Sequence, residues 1–180
     1  MKRVTFLTLI ACICIFAQCK KDKQSSSDNS YGLPNATQEG ENTLGFLLNG
    51  EPWTPKGFSG SANLSIDVDF AFNDGVFNIV GYRTIAGITE QFTVGISDSL
   101  SLIAFPHTFQ IKQNSIVGVS YTKSMCDYFS KDLLTTANGM LTLTKLDQVR
   151  RIISGTFNAT LSKDGCALIN ITQGRFDMSY

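Results

Sequence analysis

From residue 64 onward, apolar and polar side chains alternate with a period of two, and turn-forming residues interrupt the alternation at short intervals. Leu64-Ser65-Ile66-Asp67-Val68-Asp69-Phe70 is the clearest stretch. A period of two sends Leu64, Ile66, Val68 and Phe70 to one side of a strand and Ser65, Asp67 and Asp69 to the other. Residues 44–48, then Asn49-Gly50, then Glu51-Pro52-Trp53 read as a hairpin, because Asn-Gly supplies the positive-φ pair of a tight turn. The same reading predicts strands over 76–82, 91–96, 108–111, 116–121, 140–146, 152–161, 167–172 and 175–180. Turns are expected at Asn73-Asp74-Gly75, Asn138-Gly139 and Lys163-Asp164-Gly165. The best helix candidate is 123–134. Many short strands with turns between them predict an all-β fold, a single antiparallel β-sandwich or barrel-like domain over 44–180.

Ahead of that domain the chain changes character. Lys2 and Arg3 precede residues 4–16, an uncharged, mostly apolar run of 13 residues. A bilayer crossing needs about 20 residues, so this run has the length of a signal peptide, assigned to residues 1–18. Cys19 stands where the run turns polar, followed by Lys20-Lys21-Asp22-Lys23. That arrangement marks a bacterial lipoprotein, in which the acylated thiol becomes the new N-terminus. Leu9-Ile10-Ala11-Cys12 spells the processing motif more closely, but cleavage there would leave Ile13-Cys14-Ile15-Phe16 beside the lipid, so Cys19 is the expected lipidation site. Residues 19–43 are expected to form a flexible, Ser-rich tether spanning about 25 Å. The lipid would hold the protein on the outer membrane, facing the periplasm or the cell surface.

Two blocks carry a family resemblance. The first is Leu33-Pro34-Asn35-Ala36-Thr37-Gln38-Glu39-Gly40-Glu41-Asn42-Thr43-Leu44-Gly45-Phe46 with Asn49-Gly50-Glu51-Pro52-Trp53. The second holds Gly139-Met140-Leu141-Thr142-Leu143-Thr144-Lys145-Leu146-Asp147, Ile153-Ser154-Gly155-Thr156-Phe157 and Ile171-Thr172-Gln173-Gly174-Arg175-Phe176-Asp177. Together they resemble a family of uncharacterised Bacteroidetes lipoproteins, whose members often carry Cys where this chain has Phe46. The resemblance implies a lipoprotein with an all-β domain and transfers no catalytic residue.

Of five cysteines, Cys12 and Cys14 fall in the expected signal segment and Cys19 is the expected acylation site. Cys126 and Cys166 remain, in a compartment where disulfides persist. A bridge between them is expected; two separate buried thiols are the alternative. Two cysteines and the single histidine, His107, do not make a zinc set, and no metal or cofactor is expected. Removing Lys2 and Arg3 leaves 13 basic against 15 acidic side chains, so no nucleic-acid partner is expected.

Candidate sites are few. No Gly-x-Ser-x-Gly motif accompanies His107, which reads as a loop residue. Asp67 and Asp69 would stand about 7 Å apart on one strand face, where paired carboxylates could serve hydrolysis or hold calcium; the wet face of a strand is the plainer reading. Trp53 reads as the core anchor of the first hairpin rather than a sugar-stacking platform. Arg150-Arg151 reads as a solvated hairpin tip, and Arg175 and Asp177 share one strand face, where they are expected to pair with each other or across the sheet. Asp98-Ser99-Leu100 resembles an O-glycosylation signal of exported Bacteroidetes proteins, with Ser99 the acceptor. The expected function is a non-catalytic binding or structural module of the cell envelope, its partner an envelope protein, a peptide or a glycan. The alternatives are a carboxylate-dependent hydrolase and a lipocalin-like carrier of an apolar ligand.

Overall fold

The computed structural model describes residues 31–60 and 62–180. The expected signal segment, the expected lipidation site Cys19 and the expected tether up to residue 30 lie outside the described residues. Among the described residues eleven strands follow one another: β1 (Thr43–Leu48), β2 (Glu51–Trp53), β3 (Leu64–Asp69), β4 (Val76–Ile85), β5 (Ile88–Ile96), β6 (His107–Lys112), β7 (Val117–Lys123), β8 (Cys126–Phe129), β9 (Thr135–Asp147), β10 (Ile152–Lys163) and β11 (Ile169–Ser179). The larger sheet has the order β2-β1-β11-β10-β9-β6 and the smaller one β3-β4-β5-β7-β8, with antiparallel pairing in both. The sheets do not close on themselves, so the domain is a sandwich and not a barrel.

Period-two alternation explains the core. In β5, Phe92, Val94 and Ile96 point inward, and in β9 Leu141 and Leu143 do the same. Aromatic rings from the two sheets meet between them: Phe46 lies 4.7 Å from Trp53 and 4.5 Å from Phe92, which lies 5.3 Å from Phe157. Each such ring contributes about 1.5–3 kcal/mol by leaving water. A lipocalin-like carrier needs a closed barrel around its ligand. Here an open sandwich encloses stacked rings.

The first hairpin forms as expected, with Asn49 (φ 50) and Gly50 (φ 90) at its turn. Trp53 is fully buried and donates its indole N–H to Glu90 Oε2 at 2.7 Å. Glu90 shares the inward phase of Phe92, and three donors compensate its burial. Arg83 Nη2 lies 2.6 Å and Lys123 Nζ 2.8 Å from its carboxylate. Burial pulls the Glu90 carboxyl upward, but the hydrogen bonds from Lys123, Arg83 and Trp53 outweigh it, and the group titrates below its ordinary range. The Tyr121 hydroxyl is driven upward by burial and by the Glu90 charge.

Four expectations are corrected. Residues 123–134 form no helix: Ser124 turns with φ 56, Lys123 pairs with Cys126, and β8 follows. A helical stripe there would have to bury Met125, Leu133 and Leu134, which are 97%, 79% and 69% exposed. Asn138-Gly139 is no turn, because β9 runs through it with Gly139 opposite both Ile111 and Ala159. The two last strands are one, β11, carrying a bulge at Gln173 (φ 52). Finally, the part of the expected tether over residues 33–42 is packed against the domain. Residues 33–42 form a strap against the larger sheet, with Leu33 buried and Pro34 seated on the backbone of Gly45, where a Cβ would lie 2.4 Å from the proline ring.

Candidate functional site

The strap is fastened at Asp177. This carboxylate is fully buried and accepts from Thr37 Oγ1 at 2.6 Å, Ser154 Oγ at 2.8 Å, and the backbone N–H of Glu39 and Gly40, both at 2.9 Å. The N–H of Glu41 adds a fifth bond at 3.3 Å. All five donors are uncharged. Burial pulls the Asp177 carboxyl upward, but these bonds outweigh it and hold it below the ordinary carboxylate range. Lys145 Nζ on β9 secures the strap further through the carbonyl of Gln38 at 2.6 Å, and the side-chain oxygen of Asn42 accepts from the N–H of Ser179.

Beside the strap, the outer face of the larger sheet opens into a groove of about 660 Å3. Strand register builds its floor. Thr142 of β9 lies opposite Thr156 of β10, and Thr156 opposite Arg175 of β11; outside the lining, Thr108 of β6 continues the row, its hydroxyl 2.9 Å from that of Thr142. Met140 and Asn158 form the neighbouring row. Thr142, Thr156, Asn158, Arg175 and Met140 line the groove, together with Gln173, which the β11 bulge brings there. Tyr31 and Ala36 supply the wall on the strap side. The lining contains no carboxylate, and its one charged group is the half-buried Arg175.

A second hollow of about 260 Å3 lies on the outer face of the smaller sheet, over Gly95 and Gly118. Lys131 already spans it, its chain 3.6 Å from where a Gly118 Cβ would be, with Nζ donating to Ser97 Oγ and to the carbonyl of Ser115. The strap-side groove is larger and is not bridged in this way.

The residues singled out from sequence are scattered. Cys126 and Cys166 form a disulfide, with Cα atoms 6.0 Å apart, joining edge strand β8 of one sheet to the β10–β11 turn of the other. Asp67 and Asp69 are exposed on edge strand β3 and do not line the groove. His107 opens β6, half-buried, with its ring 4.5 Å from Phe109. Ser99 adopts φ 66 before a short 3-10 turn, Leu100–Leu102, and its hydroxyl donates to Asp98 at 2.7 Å. Arg150 does stand in the β9–β10 turn but is held by Asp147 at 2.7 Å, and Arg151 lies over the Tyr180 ring. Arg175 and Asp177 do not pair: the strap's donors surround Asp177, while Arg175 reaches the Gln173 and Pro34 carbonyls. No group of three metal-ligating side chains occurs among the described residues.

A family model described as a domain of unknown function, DUF6252, matches residues 60–178. The chain belongs to that family. Its matched span takes in β3 through most of β11, including every strand of the groove floor, and leaves the strap and the first hairpin outside. No curated protein and no solved structure matches the chain. DUF6252 membership accords with the resemblance to an uncharacterised domain family read from the sequence, and the groove is the feature of this member that most invites a ligand.

Proposed function

We propose that this DUF6252 protein is a lipid-anchored, non-catalytic binding module of the cell envelope, and that its ligand lies in the strap-side groove of the larger sheet. The observation that carries the reading is the groove itself. It is an open, carboxylate-free hollow floored by hydroxyl and amide side chains whose positions are set by strand register. Such groups hold and orient a ligand through hydrogen bonds. The anchor rests on the sequence: a basic start, the apolar run 4–16 and Cys19 at its polar boundary. The lipid would hold the protein at the outer membrane, facing the periplasm or the cell surface.

Fractionation tests the anchor. Cys19→Ser should move the protein from the membrane to the soluble fraction, and Cys12→Ser should leave it in place; the reverse pattern would sink the assignment of Cys19. A photo-crosslinking residue in place of the exposed Asn158 tests the groove in intact cells. An envelope component captured there, and not from a control position at Asp67, supports binding on this face. Equal capture at both positions would refute it.

A further inference from the structure

The groove also carries information on what it binds. Arg175 donates from Nε to the Gln173 carbonyl at 3.1 Å, from Nη2 to Gln173 Oε1 at 3.4 Å and from Nη1 to the Pro34 carbonyl at 3.5 Å. The two Nη contacts are long beside the roughly 2.9 Å typical of N–H···O bonds. No ion pair to Arg175 is found among the described residues. A half-buried guanidinium with five N–H groups is thus oriented by neutral oxygens and keeps donor capacity for a stronger acceptor.

We infer that the ligand is an acidic oligosaccharide, a chain of sugars bearing carboxylates, and that Arg175 receives one of those carboxylates; the inference rests on the groove being the binding face. Charge complementarity comes first: one cation and no carboxylate line the hollow. Geometry comes second. Thr142, Thr156 and Arg175 lie in one row across three strands, about 10 Å at the usual strand spacing, so a short oligosaccharide crossing the strands would meet polar side chains along its length. Each hydroxyl or amide both donates and accepts, as sugar hydroxyls do. The half-exposed Tyr31 ring and Met140 offer apolar area to a sugar face. A peptide fits less well: a sheet face presents no free backbone edge for an added strand. A phosphate ligand would call for several cations or a nest of backbone N–H groups, and the groove has a single Arg.

Calorimetry on the full chain in detergent, with a galacturonate trimer as probe, tests the inference. The trimer should bind, and its fully methyl-esterified form and a triglutamate peptide should each bind at least about ten-fold more weakly, the worth of one charge-assisted hydrogen bond. Arg175→Gln should lose a similar factor with an unchanged thermal midpoint. Asn158→Ala, an exposed site whose truncation leaves the core intact, should weaken binding about three-fold, and Asp67→Asn on the other sheet should not. Absence of trimer binding at millimolar concentration, equal binding of the ester or the peptide, or indifference to Arg175→Gln would each overturn the acidic sugar. Should selective crosslinking at position 158 persist after any of these, the binding face would stand and only the ligand class would fall.

Discussion

Glu90 and Asp177 are two buried carboxylates stabilised in opposite ways. Glu90 lies between the sheets and is neutralised by Arg83 and Lys123, with the Trp53 indole as a third donor. Asp177 lies on the outer side of the larger sheet, and only hydroxyls and backbone N–H groups hold it. The first arrangement locks packing: it joins the β1–β2 hairpin of one sheet to β4, β5 and β7 of the other. The second locks a chain path, because three successive backbone N–H groups of the strap converge on one side chain. A charge pair tolerates some play in its partners, since attraction falls slowly with distance. A cage of directional bonds demands one conformation.

Substitutions sharpen that contrast. Glu90→Ala should be the most damaging, about 3–5 kcal/mol in urea unfolding, because it leaves the Arg83 guanidinium buried without a counter-charge. Adding Arg83→Met to it should recover much of the loss; no recovery would mean the pair acts through shape rather than charge. Asp177→Asn should cost about 2–3 kcal/mol, since an amide brings its own N–H groups against the cage donors. It should also expose residues 33–42 to protease while β9–β11 stay protected. Strap and sheet becoming labile together would show that the clasp is part of the core.

Acid should attack both sites. Each carboxyl titrates below its ordinary range when folded, so each contributes stability above its unfolded pKa and loses it as pH falls through the folded value. Stability should therefore be flat near neutrality and decline below about pH 4. In the Asp177→Asn variant that decline should be shallower. The smallest expected effect is that of salt. Half a molar NaCl should weaken the Glu90 cluster by a few tenths of a kcal/mol through its half-exposed Lys123, and leave the Asp177 cage unmoved. Comparison of Glu90→Gln and Asp177→Asn across a salt series would measure both.

The same two residues show how far sequence reading reaches. Alternation located most strands, the first hairpin and the burial of Trp53, because each of these depends on neighbours in the chain. The Glu90 cluster depends on partners 7 to 37 residues away, and its one local signal, an acid in the inward phase of Phe92 and Val94, is easily overlooked. Phase alone offers Asp177 either Arg175 or a partner across the sheet; Ser154 is such a cross-sheet partner, but the strap donors lie up to 140 residues away, in a segment whose polar composition reads as tether. The helix expected over 123–134 failed for a related reason: β8 has four residues, too few to declare a period, and Cys126 is tied to Cys166 across the sandwich. The groove is illegible from sequence because its floor comes from register among three strands.

Because the strap precedes β1 in the chain, any tension arriving from the N-terminal side reaches the Asp177 clasp before it reaches a strand of the sandwich. The clasp would then serve as a mechanical fuse: its hydrogen bonds yield first, releasing residues 33–42 while the folded body stays whole.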